Sequence, residues 1–208
     1  MKYNPEKHHR RSIRLKGYDY SQSGWYFVTI CTQKREILFG DVVIGTMKLN
    51  DAGEMVKSIW NEIPKYYPGI NIDDYQIMPN HLHGIIHIIG TGPVGIDPRV
   101  YPDKINMDKS LGKHRDLPQQ SQEITESKGQ SQGIAPTISL PTVVQRFKSL
   151  TTNRYIDGVN QKGWQPFNGK LWQRNYYEHI IRNEDELIQI RNYIIDNPLK
   201  WTMDKYYI

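Results

Sequence analysis

His81 and His83 flank Leu82 in a run of β-branched and apolar residues. On an extended chain, residues two apart project to the same face with Cα atoms about 7 Å apart. Two imidazoles so placed can converge on one metal ion, while Leu82 and Gly84 face the other way. By itself a His-x-His pattern more often marks two surface or hydrogen-bonded histidines, and at this point both readings stand. His87 falls on the same face but about 13 Å further along the strand, too far to share an ion, and is read as structural.

The elements that must position this pair are legible from periodicity and turn chemistry. Residues 70–78 and 81–89 read as two strands separated by Pro79 and Asn80, a short turn that makes them an antiparallel pair. Trp25 to Thr32, preceded by Gly24, reads as a buried strand. Asp51 offers an N-cap to a helix carrying Met55, Val56, Ile59, Trp60 and Ile63, which is expected to end at Pro64. Pro141 opens a second helix through Tyr155, with Val143, Val144, Phe147 and Leu150 on one side and a basic face opposite. Residues 171–181 fit a strand or a short helix. Asn183 caps a last helix from Glu184 to about Asp196, with acids in its first turn and Pro198 as its stop.

The order β-α-β-β-α-(β)-α matches an α+β ferredoxin-like sandwich, an antiparallel sheet with helices on one face. Such a fold decides nothing about activity. Periodicity is lost over about 90–138, where the segment 119–133 (QQSQEITESKGQSQG) is of low complexity, and this stretch is read as a flexible insertion in a single domain spanning 1–208.

Charge narrows the class of partner. The chain of 208 residues has a net charge of +5, concentrated in two blocks: residues 1–35 hold eight Lys/Arg against two Asp/Glu, and residues 141–182 hold seven against two. Basic, aromatic-rich blocks fit a polyanion, because Lys and Arg neutralise phosphates and aromatic faces stack on unpaired bases; an ordinary basic surface is the alternative. The lone cysteine, Cys31, excludes a disulfide framework and suits a reducing compartment. No export signal or membrane-spanning run is found, so the protein is expected in the cytoplasm, away from membranes.

Three stretches add a resemblance. MPNHLHGIIHI (78–88), LWQRNYYEHIIRNEDELIQIRNYIIDNPLKW (171–201) and RRSIRLKGYDYSQSGWYFVTICT (10–32) resemble the motifs of REP-associated tyrosine transposases, single-tyrosine members of the HUH endonuclease superfamily. The resemblance implies an HUH-type fold and a metal-dependent endonuclease and strand transferase acting on single-stranded or hairpin DNA. It places the nucleophile at Tyr193, one of fourteen tyrosines, and a third metal ligand at Asn197, beside His81 and His83. Tyr193 and Asn197 are four apart and so lie one above the other on a helix. The implied cofactor is Mg²⁺ or Mn²⁺, the histidines favouring the latter, and the implied product is a 5′-phosphotyrosine with a free 3′-OH. In such enzymes basic residues contact the DNA, which marks Arg10, Arg11, Arg14, Lys16, Arg146, Lys148, Arg174 and Arg182 as candidates. A monomer or a homodimer is expected. The competing readings are a nucleic-acid-binding protein that kept the fold but lost catalysis, and a nickase of the replication-initiator type.

Overall fold

The aromatic and β-branched run becomes the first strand, β1 (Gly24–Cys31), of a computed structural model that describes residues 14–15, 17–89 and 138–207. A hairpin, β2 (Gly40–Val43) and β3 (Thr46–Leu49), leads into α1 (Asp51–Tyr66), then β4 (Ile70–Met78) and β5 (His81–Ile88). Further along the chain come α2 (Leu140–Lys162), β6 (Tyr177–Ile181) and α3 (Glu184–Asp196). Four strands form one antiparallel sheet in the order β4-β5-β1-β6, and β2 and β3 pair separately. The protein is thus an α+β fold on an antiparallel sheet. The insertion expected at 90–138 lies, apart from Ile138, outside the described residues.

Strand alternation divides the apolar residues between two cores. Tyr26, Val28 and Ile30 of β1, with Leu82, Ile86 and Ile88 of β5, meet Val56, Ile59 and Trp60 of α1 and Val143, Val144 and Phe147 of α2. Phe27, Ile85 and Ile181 emerge on the opposite face and are covered by Leu187 and Ile194 of α3. The expectation of helices on one face therefore holds for α1 and α2 but not for α3. A bare second face would leave these three side chains in water, at about 1.5–3 kcal/mol for each one not buried.

Element ends follow cap chemistry. Asn50, not Asp51, caps α1, its side-chain oxygen accepting from the Gly53 amide at 2.9 Å. The helix runs past Pro64 to Tyr66, since proline in the last turn removes only one ladder bond there. α2 continues beyond Tyr155 to Lys162 and closes on Gly163 at φ 69, the left-handed conformation that glycine adopts without a Cβ clash. The hairpin is an element that sequence periodicity does not reveal; its turn places Ile44 and Gly45 at φ 49 and 67, as a two-residue hairpin connection requires.

One close approach gives a test of the packing. A Cβ on Gly84 would lie 2.5 Å from the fully buried Trp60 ring, so the Trp60 ring can lie this close to β5 only over a glycine. Gly84→Ala is expected to destabilise the protein by about 1–3 kcal/mol, read as a lower denaturant midpoint at unchanged m-value; an unshifted midpoint would show that Trp60 moves aside freely.

Candidate metal centre

β5 turns His81 and His83 onto the face covered by α3, where both are almost fully buried. Their Nε2 atoms approach to 3.0 Å. Each ring is held from behind. His81 Nδ1 lies 2.8 Å from the side-chain oxygen of Asn80, whose Nδ2 donates to the carbonyls of Arg35 and Tyr206. That oxygen is an acceptor, so the proton sits on His81 Nδ1 and the Nε2 lone pair points inward. His83 Nδ1 contacts the Thr29 hydroxyl at 2.8 Å, and a hydroxyl can accept or donate. When His83 donates there, two lone pairs face one another and require a proton or a cation between them. This back-side support is how metal-binding histidines are ordinarily oriented.

α3 brings up the tyrosine. Asn183 caps it as expected, accepting from the Glu186 amide at 2.8 Å, and acids fill its first turn. Arg191 anchors it to β4 through two bonds to the Asp73 carboxylate, at 2.7 and 2.6 Å. The Tyr193 hydroxyl then stands 3.2 Å from His83 Nε2, and its ring meets Phe27 edge-on. One turn on, Asn197 is buried; its Nδ2 donates to Asp204 Oδ2 at 2.7 Å, and its Oδ1 has no hydrogen-bond partner among the described residues.

Asp204 joins the site without any motif to announce it. Its carboxylate is 4.0 Å from His83 Nε2, and ligand atoms of His81, His83 and Asp204 all lie within 4.8 Å of one another. Two imidazole nitrogens and a carboxylate oxygen make a mixed nitrogen and oxygen donor set, of the kind that can hold a divalent metal ion. The only sequence hint of Asp204 is that it is the one acid after Pro198, and the irregular segment carrying it has no periodicity to say where it points.

The electrostatics are those of ligands ready for a cation. Burial, then the neighbouring imidazole, holds His81 well below the ordinary histidine range, and burial lowers His83 against the opposing pull of Asp204. Burial alone would push the Asp204 carboxyl up, but His83, the Tyr206 amide and Asn197 outweigh it and hold it well below the usual carboxylate range. Burial and then the Asp204 charge push the Tyr193 hydroxyl up, so without a cation it stays protonated at neutral pH. The unfolded chain takes up protons near pH 6.5 that both buried imidazoles resist. Stability from this source is therefore complete above that pH and is lost as pH falls below it. The depressed Asp204 adds a loss of the same sign only below about pH 4. In EDTA the melting temperature is expected to fall between about pH 7 and pH 5, and calorimetry of a His81→Ala, His83→Ala variant should show a flatter profile; an equal slope would mean that the two rings do not titrate as their burial implies.

The other expected residues are dispersed. Arg10, Arg11 and Lys16 lie outside the described residues. Arg14 sits 3.9 Å from Glu178, and Arg146 is exposed over the Tyr66 ring; both are on the α1 and α2 side of the sheet, away from the histidines. Lys148 is not a projecting surface cation: its ammonium donates to the carbonyls of Gln173, Arg174 and Asn175, and burial pulls its pKa down to about 8. Arg174 and Arg182 are exposed at either end of β6. His87 stacks on Trp25 at 4.1 Å, apart from the cluster.

The chain is 42% identical over 210 residues to an uncharacterized protein of Haemophilus influenzae, the match covering 100% of this chain and 98% of that one. No family model matches it. Among solved structures it is similar to a REP-associated tyrosine transposase bound to a REP hairpin, at 16% identity and a TM-score of 0.49 over 93% of this chain and 77% of that one. It is similar also to a candidate transposase of Deinococcus radiodurans R1, at 16% identity and a TM-score of 0.40 over 89% of this chain and 97% of that one.

Proposed function

The chain belongs to one family with the uncharacterized Haemophilus influenzae protein, and from the geometry of its own site we propose that it cuts and rejoins single-stranded DNA through a covalent tyrosine intermediate. The observation that carries this reading is the Tyr193 hydroxyl standing 3.2 Å from the inward nitrogen of His83, at the edge of a buried donor set. The resemblance of the 78–88 and 171–201 motifs to REP-associated tyrosine transposases supports it, since those motifs contain His81, His83, Tyr193 and Asn197.

Each residue has a part. His81, His83 and Asp204, with the Asn197 oxygen, would hold a divalent cation, Mn²⁺ or Mg²⁺. When bound, such an ion polarises a phosphoryl oxygen and offsets the Asp204 charge that opposes ionisation of the tyrosine. Tyr193 attacks the phosphorus: its oxygen forms the new P–O bond and gives up its proton to solvent, while the bond to the 3′ oxygen breaks and that oxygen takes up a proton from solvent. The products are a 5′-phosphotyrosine and a free 3′-OH, and attack by a 3′-OH reverses the exchange without an external energy source. Asn80 and Thr29 orient the imidazoles without touching the substrate. Arg146, Arg174 and Arg182, together with Arg14, are the described cations that would meet more distant DNA.

The test is to incubate the protein with single-stranded oligonucleotides carrying short hairpins, in Mn²⁺, and to separate the products under denaturing conditions. A labelled DNA species that comigrates with the protein and is lost to protease is expected; cleavage without any such species would favour attack by water at the same metal centre.

A further inference from the structure

Two cations beside the metal centre differ from the others near it. Arg191 is bound to Asp73, and Lys148 to three carbonyls. Arg35 and Lys205, in contrast, meet no carboxylate among the described residues. Lys205 is exposed, its ammonium 5.2 Å from the Tyr177 ring and 4.9 Å from the Tyr206 ring. The Arg35 guanidinium lies 5.4 Å from the Tyr206 ring, and its Nη1 donates to the Lys205 carbonyl at 2.8 Å. Tyr206 in turn packs against His81, ring centres 4.7 Å apart.

Arg35 is held there at a conformational cost. Lys34 and Arg35 adopt φ of 55 and 60, a left-handed region that side chains with a Cβ avoid and that persists only where the surroundings impose it. The Asn80 amide bonds to this turn, donating to the Arg35 carbonyl and to the Tyr206 carbonyl on the segment carrying Lys205, and accepting from His81. One buried side chain thus ties both cations to the candidate metal ligand. Across the site, Tyr177 lies opposite Thr29 in the sheet register, on the face of the histidines, and 46% of it is exposed. Its ring meets the edge of Phe27, the residue that also contacts the Tyr193 ring.

Building on the proposed strand cleavage, we propose that Arg35, Lys205 and Tyr177 form a nucleotide seat beside the metal centre, the cations neutralising two phosphates of a single strand and the Tyr177 ring stacking on the base next to the reacting phosphodiester. Cations without carboxylate partners suit phosphate, and an exposed ring on a rigid strand suits any base. A strand so held would run from the edge of β6 across Lys205 toward Tyr193.

The seat is testable without catalysis, by anisotropy of a fluorescent oligothymidylate with the full-length protein in EDTA across a salt series. Replacing both cations, Arg35→Gln with Lys205→Gln, is expected to weaken binding at least about tenfold at low salt and to reduce the slope of log affinity against log salt by about 1.4, or about 0.7 for each phosphate left unneutralised. Lys205→Gln by itself, on an exposed side chain, should remove about half of that slope change and gives the result should the double variant fail to fold. Oligothymidylate substituted with 5-iododeoxyuridine should cross-link under ultraviolet light to the peptide containing Tyr177, and Tyr177→Leu should abolish the cross-link while keeping the slope. An unchanged slope in both cation variants, or a cross-link only to other peptides, overturns the seat. Binding in EDTA does not depend on Tyr193, so a protein that forms no adduct can still pass, and a double variant with unaltered binding and normal adduct would refute the seat while leaving the nuclease reading in place.

Discussion

Tyr193→Phe is expected to abolish the covalent DNA adduct and to lower strand cleavage by at least about 10³-fold, the order of loss when an enzyme loses its nucleophile. The substitution removes one oxygen and leaves the ring against Phe27, so folding stability should change by no more than about 1 kcal/mol, the usual worth of one hydrogen bond. Metal and DNA binding should persist. Mass spectrometry of the digested adduct should place the phosphate on the peptide containing Tyr193. Tyr176→Phe and Tyr177→Phe are the informative controls, and both should still form adduct. Tyr176 is buried on the α2 side of the sheet, with the Lys148 ammonium over its ring, and Tyr177→Phe keeps the ring that would stack on a base. An adduct at either position, or full cleavage by Tyr193→Phe, would end the assignment. The raised pKa of the Tyr193 hydroxyl sharpens the expectation: burial, and then the uncompensated Asp204 charge, keep its proton in place, so adduct formation should require a divalent cation even when DNA is saturating.

Losing the two histidines should have an effect of similar size by a different route. His81→Ala with His83→Ala removes both nitrogens of the donor set and is expected to reduce Mn²⁺ affinity by more than about 100-fold, beyond what the loss of a supporting residue costs, and to abolish cleavage. Isothermal titration or Mn²⁺ electron paramagnetic resonance would read the first and the oligonucleotide assay the second. DNA affinity in EDTA should change little, because the side chains proposed to meet phosphate are cations, which the double variant keeps. Asp204→Asn keeps the shape but not the charge, so it should weaken the metal less than loss of the histidines and lower the pKa of the Tyr193 hydroxyl. Asn197→Ala should weaken metal dependence without redirecting attack to another tyrosine. Mn²⁺-dependent cleavage at full rate in the double histidine variant would show that the ion is held by other residues.

The elements themselves were legible from local chemistry. β4 and β5 have the expected limits to within one residue because Pro79 and Asn80 interrupt an alternating apolar pattern, and α3 begins and ends where Asn183 caps it and Pro198 stops it. The β2–β3 hairpin is hidden in the sequence because its strands are four residues each and half exposed, too short for period-two alternation to stand out. The pairing of His81 with His83 was available from strand geometry alone, and Tyr193 and Asn197 from a motif that resembles a family. The tertiary structure decided the rest. Periodicity shows that α3 has an apolar stripe, but only the folded sheet, with one face covered by α1 and α2, shows that α3 lies on the other, over the histidines. Lys148 looks like a surface cation on a helical wheel, and only the loop folded onto it reveals three carbonyls waiting for its ammonium. Asp204 and Arg35 lie in segments with no regular period; one amide, Asn80, ties Arg35 to Tyr206 by bonding carbonyls 45 and 126 residues away, and Asp204 is held by Asn197 and the Tyr206 amide. Periodicity records backbone geometry over a few neighbouring residues, whereas a site drawn from both ends of the chain exists only once the sheet has closed.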